Sequence, residues 1–221
     1  MENIRQIPYS SIVKHYEECF KEYGDNSKGV DWPNKQDALK RYQVMLEVMK
    51  FDTNSFKAPR QPSVLDFGCG LGHLYEYITQ NAINVHYTGL DASSLFAQTC
   101  REKFPHIDFL EMDILDGDVV LAHKFDYIVM NGVLTEKKEL SYDEMWTYSK
   151  KLIQKVYQVC NYGVAFNVMS KDVDWERDDL FHLPVNELSK FLTQEITRDF
   201  IIRYDYGLYE YTTYLYKKGS K

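Results

Sequence analysis

A glycine-rich segment between two periodic runs carries the clearest chemical signal in the sequence. Val64 to Gly72 reads V-L-D-F-G-C-G-L-G, and it lies where a short apolar strand pattern gives way to a helical one. Glycine adopts positive φ and has no side chain, so such a turn lets the backbone approach a ligand closely. The glycines are spaced G-x-G-x-G after Asp66, which differs from the G-x-G-x-x-G of dinucleotide-binding turns.

A second acid stands where the next predicted strand ends. Asp91 closes the run Y-T-G-L-D, nineteen residues after Gly72. A carboxylate at that position can accept hydrogen bonds from both hydroxyls of a ribose. The turn and this acid together predict a site for a ribose-containing ligand.

The elements that must position this site alternate along the chain. Short apolar runs and helical patterns succeed one another from Ser63 onward, which predicts a parallel sheet covered by helices on both faces. The predicted fold class is α/β, with a doubly wound, mostly parallel, seven-stranded Rossmann-like sheet, an antiparallel last strand and an N-terminal helical cap. Ligands of such sheets bind outside the carboxyl ends of the strands. The expected strands are SVLDF, VHYTGLD, IDFLEMD, FDYIVMN, GVAFNVMS, ITRDFIIRYDY and LYEYTTYLYKK, the last two joined near Gly207.

Two helical patterns precede the sheet. Ser10 to Tyr23 has apolar residues at helical spacing, and Asn34 can cap a second helix that ends near Lys50. The segment after it is polar and contains two prolines, so we predict a helical cap over residues 1–58 and a core domain over 59–221. On this division, deletion of residues 1–51 should leave the core largely folded.

Composition narrows the function classes. The 221 residues are 44% hydrophobic, enough for one sizeable core, and the net charge of −7 repels a phosphate backbone. Nucleic acid is therefore an unfavourable partner. The four cysteines lie far apart and the histidines form no H-x-x-x-H pair, so neither a disulfide framework nor a metal site is expected. No apolar run approaches the roughly 20 residues of a membrane span, and no signal peptide is recognisable, which predicts a cytoplasmic protein.

From about Ser63 to Ser170 the chain resembles the class I S-adenosylmethionine (SAM) dependent methyltransferases. The resemblance implies that the glycine turn wraps the aminoacyl part of SAM with support from Asp66, and that Asp91 holds the ribose. It further implies that Asp113 and Ile114, in E-M-D-I-L, lie beside the adenine, and that the fourth strand ends at the cofactor. The cofactor set inside this span is Asp66, Gly68, Cys69, Gly70, Gly72, His73, Asp91, Ala92, Ser93, Asp113, Ile114, Asn131 and Gly132.

A narrower likeness involves the segment G-V-D-W-P-N-K-Q-D-A-L-K-R-Y. It is similar to a group of small bacterial methyltransferases, several of them associated with surface-polysaccharide or secondary-metabolite genes. This likeness implies that Trp32 and Arg41 fold over the SAM site. Arg41 would then pair with the methionine carboxylate in a bidentate manner.

The acceptor site is expected from topology, at residues that follow the strands. Thr135, Asn167 and Tyr206 are the candidates for substrate binding. A hydroxyl acceptor would benefit from a general base, whereas a neutral amine needs none. The candidate bases are His182, Asp205 and Glu210.

These observations favour methyl transfer from SAM to an oxygen or nitrogen of a small polar metabolite, a sugar or a biosynthetic intermediate. A protein or RNA methyltransferase is the first alternative; the negative charge and the M-N-G-V end of the fourth strand, in place of an N-P-P-Y-like tetrapeptide, disfavour it. A non-catalytic nucleotide-binding protein of the same fold is the second, and an NAD-dependent oxidoreductase is weaker because of the glycine spacing. The acidic segment 171–182 is either a solvated loop or a lid with Trp175 as its apolar contact. The oligomeric state is left open.

Overall fold

The computed structural model describes residues 9–53, 58–116, 121 and 123–217. Its helices are α1 Ser10–Tyr23, α2 Lys35–Leu46, α3 Val48–Phe51, α4 His73–Gln80, α5 Ser94–Lys103, α6 Tyr142–Gln158 and α7 Val185–Phe191, with a 3₁₀ turn at Ser27–Val30 and a π-helical turn at Leu192–Ile196. Its strands are β1 Ser63–Phe67, β2 His86–Asp91, β3 Asp108–Glu111, β4 Phe125–Met130, β5 Cys160–Ser170, β6 His182–Leu183, β7 Phe200–Arg203 and β8 Glu210–Tyr216.

The sheet has the order β3-β2-β1-β4-β5-β8-β7, and the two-residue β6 pairs with β5. β8 runs antiparallel to both β5 and β7, and the other pairs are parallel. The predicted α/β class and antiparallel last strand are confirmed; β6 is the added element. Because the order reverses between β1 and β4, a crevice opens there at the carboxyl ends of the strands.

Helix boundaries follow local capping chemistry. The Asn34 side chain accepts hydrogen bonds from the backbone of Gln36 and Asp37, so α2 begins where the sequence predicts. Ser141 and Glu144 form a capping box at the start of α6. The helix predicted to end near Lys50 is two helices, because α2 ends at Leu46 and α3 follows.

Apolar cores lie on both faces of the sheet, and the N-terminal helices contribute to each. Ile12 of α1 belongs to the cluster that includes α6, while Tyr42 and Met45 of α2 belong to the cluster against β1. The Tyr216 hydroxyl of β8 donates to the carbonyl of Val48, 3.0 Å away. A boundary near residue 58 therefore does not separate two cores. Among the described helices, none is long and apolar enough to cross a bilayer.

Candidate cofactor and active site

A cavity occupies the crevice at the carboxyl ends of β1 to β4, and helix α1 covers it. Most of the predicted cofactor residues share this cavity, which is the place that an open α/β sheet offers a ligand. Those that line it are Trp32, Asp66, Gly68, Cys69, Gly70, His73, Asp91, Ala92, Asp113, Ile114, Asn131 and Gly132. Further lining residues, which sequence reasoning missed, include Tyr9, Ile12, Val13, Tyr16, Val30, Tyr42 and Tyr148.

The glycine turn after β1 is held against the end of β2. The backbone N–H groups of Gly68 and Cys69 both donate to the carbonyl of Leu90, at 2.7 and 3.0 Å. Gly68 has a φ of 75°, and a Cβ there would lie 2.6 Å from Cγ2 of Val133. Only glycine fits this position, so the backbone itself forms the cavity wall.

Asp91 connects the turn to the next helix. One carboxylate oxygen accepts from the N–H of Gly70 and the other from that of Ser93, each at 2.9 Å. Each oxygen keeps a second lone pair, so a diol can still donate to them. Burial raises the pKa of Asp91 to about 6.

Asp66 is the second buried acid of the cavity. The Tyr87 hydroxyl donates to it at 2.8 Å, and burial raises its pKa to about 7. A cationic ligand would favour its ionised form. Asp66 and Asp91 therefore give one wall of the cavity a negative character that a cation can stabilise.

Asp113 lies after β3 and carries two hydrogen bonds. It accepts from the N–H of Leu115 at 2.9 Å and from the hydroxyl of Tyr9. The rings of Tyr9 and Tyr148 lie 4.6 Å apart between centroids, a separation typical of interacting aromatic pairs. An apolar, aromatic end of the cavity thus forms beside Asp113 and Ile114.

The tip of β4 presents an unpaired amide. Both polar side-chain atoms of Asn131 are buried and have no hydrogen-bond partner among the described residues. Buried polar groups are normally paired, so a group in this state at a cavity wall fits a ligand's donor and acceptor. The neighbouring Gly132 donates its N–H to Asn167, 2.8 Å away.

Trp32 lines the cavity, whereas Arg41 does not. The Arg41 Nε donates to Glu210 at 2.8 Å, and its guanidinium lies 5.2 Å from the centroid of the Trp32 ring. Asn167 donates to the other oxygen of Glu210 at 3.0 Å. In the structure Arg41 pairs with Glu210, and its pairing with the methionine carboxylate of SAM stays a prediction. Arg41 packs against the ring of Trp32 from outside the cavity.

Two other cofactor candidates lie just outside the cavity. Gly72 precedes α4, and a Cβ there would meet the Phe104 ring at 2.8 Å. Ser93 caps α5 and donates to Glu17 of α1 at 2.6 Å. Gly72 and Ser93 therefore affect the cavity indirectly, through Phe104 and Glu17.

His73 stays at the cavity wall as a predicted cofactor residue. Its Nε2 lies 2.8 Å from Asp25, which also pairs with Lys103 at 2.7 Å. Although burial opposes it, hydrogen bonds from Lys103 and His73 lower the pKa of Asp25. His73 is thus fixed to the segment that follows α1.

The three candidate bases lie away from the cavity. His182 donates from Nδ1 to the carbonyl of Ser170 at 2.6 Å and accepts the N–H of Arg177 at Nε2, so neither nitrogen is available. Asp205 is exposed and bound to Arg203 at 2.6 Å, and Glu210 is buried between Arg41 and Asn167. None of the three lines the cavity, and their role as proton acceptors stays a prediction.

The predicted substrate residues are also occupied by their own neighbours. Thr135 donates to the carbonyl of Gly132 at 2.8 Å, and the Tyr206 hydroxyl forms a hydrogen bond with Thr212 at 2.9 Å. Asn167 accepts the N–H of Gly132 and donates to Glu210. None of the three lines the cavity. The cavity includes the space between the tip of β4 and α1.

These residues fit SAM by their chemistry. A turn without side chains, two buried carboxylates and an aromatic end match the aminoacyl, ribose and adenine groups of SAM.

Comparisons with known proteins bear on the class of protein. The family described as "Methyltransferase domain" matches residues 65–161. A Mycobacterium tuberculosis protein named "Putative methyltransferase Rv1506c" is 25% identical over 163 residues, which are 72% of this chain and 94% of that protein.

Two solved structures have the same fold. Magnesium protoporphyrin IX methyltransferase from Synechocystis, with bound SAM, has a TM-score of 0.61 at 16% identity and covers 98% of this chain and 100% of its own. The plantazolicin methyltransferase BpumL, in complex with a pentazolic desmethylPZN analogue and SAH, has a TM-score of 0.61 at 15% identity over 94% of this chain and 98% of its own. Together with the strand order and the glycine turn flanked by Asp66 and Asp91, the family match over residues 65–161 and these relatives support a class I SAM-dependent methyltransferase that uses SAM as its cofactor.

Proposed function

We propose that this enzyme transfers the methyl group of SAM to a nitrogen or oxygen of a small polar metabolite, such as a sugar or a biosynthetic intermediate. The acceptor would lie in the cavity beside Asn131, between the tip of β4 and α1. The observation that carries this proposal is the buried, unpaired amide of Asn131. An acceptor with both donor and acceptor atoms would satisfy it, whereas an apolar one would leave it unpaired.

SAM supplies an electrophilic methyl group, so the protein has to position two reactants and exclude water. Asp91 accepts hydrogen bonds from the ribose, and Asp66 balances the positive charge of the aminoacyl end. Trp32 and Tyr16 enclose the space from the side of the N-terminal helices. We assign most of the rate enhancement to this positioning.

The roof of the cavity supports a small acceptor. Ile12, Val13 and Tyr16 of α1 line it, and Ile12 is also part of the core. A flexible peptide or an RNA strand would have to displace that helix. The net charge of −7 further disfavours RNA.

Proton chemistry favours an amine over an alcohol. Among the described lining residues, Asp66 and Asp91 hold the cofactor, His73 is bound to Asp25, and Asp113 is bound to Tyr9. Burial raises the pKa of Tyr16 well above its ordinary value, so it is not a phenolate base. An amine that arrives uncharged needs no base in the methyl-transfer step.

The test uses tritiated methyl SAM and a metabolite extract, with the full chain as enzyme. Label should enter the small-molecule fraction, and Asn131→Ala should reduce that transfer while SAH binding, measured by calorimetry, is retained. Label in protein or RNA alone would overturn the small-molecule assignment. Binding of NAD in place of SAM would overturn the reaction class.

A further inference from the structure

Three metal-ligating side chains of different kinds meet outside the cavity. His15 and Cys19 lie one helical turn apart on α1, and Asp31 follows the 3₁₀ turn. Their ligand atoms all lie within 4.8 Å of one another. The pattern H-x-x-x-C is not one of the paired-histidine or paired-cysteine spacings that predict a metal site. The third potential ligand, Asp31, is brought beside the other two only by the fold.

The three atoms converge on one point. His15 Nε2 faces both Cys19 Sγ, at 3.6 Å, and Asp31 Oδ2, at 2.8 Å. A histidine that only forms hydrogen bonds with two partners would use one ring nitrogen for each of them. Here both partners face the same nitrogen, which carries a single proton or a single lone pair and cannot satisfy both well.

Two of the three ligand separations can be compared with those of a tetrahedral zinc site, and the Cys19 and Asp31 ligand atoms lie within 4.8 Å of each other. With ordinary zinc bond lengths, sulfur and nitrogen ligands lie about 3.6 Å apart and nitrogen and oxygen ligands about 3.4 Å apart. The first separation is already met, and the carboxylate of Asp31 has to withdraw by only about 0.6 Å. His15 and Asp31 are partly exposed, with 27% and 34% of their side chains accessible, so an ion can reach them.

The local charge also suits a cation. Lys138 is the cation nearest to Asp31, at 3.8 Å, but it lies closer to Glu136, at 2.8 Å, and to Asp179, at 3.4 Å. The carboxylate of Asp31 is therefore not neutralised by Lys138 alone. A thiolate, a neutral imidazole and a carboxylate form a ligand set that zinc prefers.

We propose that His15, Cys19 and Asp31 bind a zinc ion, with a water in the fourth position. Binding releases the proton of the Cys19 thiol to solvent, and the imidazole coordinates in its neutral form through Nε2. The ion joins α1 to the segment on either side of Asp31. Because Val30 and Trp32 line the cavity, the metal fixes the roof of the cofactor site.

The test begins with full-length protein freed of metal by chelation and titrated with Co²⁺ under a non-thiol reductant. We expect a thiolate-to-cobalt charge-transfer band with the visible bands of a tetrahedral ion, and loss of both when Zn²⁺ is added. Cys19→Ser should remove the charge-transfer band, and His15→Asn and Asp31→Asn should weaken Zn²⁺ binding by more than about tenfold. His86→Asn, at an exposed histidine on β2, is the matched control and should bind as the wild type does.

Several results would overturn the site. A charge-transfer band that persists in Cys19→Ser would assign the metal to the other cysteines, and the absence of any band in the wild type would exclude thiolate ligation. Zn²⁺ should also raise the Tm of the wild type and not that of Cys19→Ser. Circular dichroism checks that each variant is folded, which separates a lost ligand from a lost structure.

Discussion

Arg41 in α2 and Glu210 at the start of β8 form an ion pair of 2.8 Å, although 169 positions separate them in the sequence. The side chain of Glu210 is 1% exposed, and Arg41 stacks on Trp32. A helix that precedes the sheet is thereby joined to its last strand, directly behind a wall of the cofactor cavity.

Glu210→Gln should therefore act on stability and not on proton transfer. Removing one charge of a buried pair costs about 3 kcal/mol, because the Arg41 guanidinium stays largely buried without its counter-ion. Loss of a general base would instead lower kcat by about 10²–10⁴. We expect a lower Tm with kcat within about tenfold of the wild type; a kcat loss of base-like size at full folding would restore Glu210 as a catalytic residue.

Asp91→Ala should weaken the binding of SAM and of SAH by about 1.5–3 kcal/mol, the scale of a hydrogen bond to a charged group. Calorimetric titration measures the change directly. Asp108→Ala, at an exposed acid at the start of β3, is the control and should leave both affinities unchanged. Equal affinities for the Asp91 variant and the wild type would remove the ribose assignment.

Gly70→Val should abolish cofactor binding in a folded protein. Gly70 has a φ of 52° at the cavity wall, where a side chain would enter the cofactor's space. Gly207→Val is the matched control, because Gly207 has a φ of 72° with no atom near its potential Cβ. Both variants carry backbone strain, and only the first should lose SAH affinity; equal losses would trace the effect to strain.

The buried acids predict opposite effects of pH on stability and on binding. Burial raises the pKa of Asp91 to about 6 and of Asp66 to about 7, against about 3.9 in the unfolded chain. The folded protein binds more protons between these values, so the free energy of unfolding should decrease as pH rises from about 4 to 7 and then level off.

SAM affinity should increase over the upper part of the same range, since the ribose and the cationic aminoacyl end both favour ionised carboxylates. Calorimetry near pH 6 in buffers of different ionisation enthalpy should detect proton release on binding. Affinity that stays constant from about pH 5 to 8 would contradict the roles of both acids.

Deletion of residues 1–51 should unfold the protein, contrary to the division at residue 58 predicted from the sequence. Tyr42 and Met45 are buried in the same cluster as β1 and β4, and their removal would expose that face of the sheet. Circular dichroism and thermal unfolding of the truncated chain decide this. A cooperative transition at the Tm of the full chain would re-establish the cap as a separate unit.

The sequence predicts what depends on local pattern. Strand and helix periodicity, the capping residue Asn34 and the glycine turn with Asp66 and Asp91 are all readable within a few residues. The positions of Arg41 and His182 cannot be predicted in this way, because each depends on a partner that only the fold brings close: Glu210 for Arg41 and the Ser170 carbonyl for His182. Sequence reasoning misses Tyr16 of α1 for another reason: on an amphipathic helix, a side chain that faces a cavity and one that faces the core give the same periodicity.

Because helix α1 covers the cavity, we expect its opening to set the rate of ligand exchange. It covers the cavity, contributes Ile12 to the core, and hydrogen bonds through Tyr9 and Glu17 to Asp113 and Ser93. Departure of the demethylated product should then require α1 to detach, at the expense of those contacts. Residence time of the product, and with it the turnover rate, should follow the opening frequency of this helix, so that amide exchange in α1 and kcat change together.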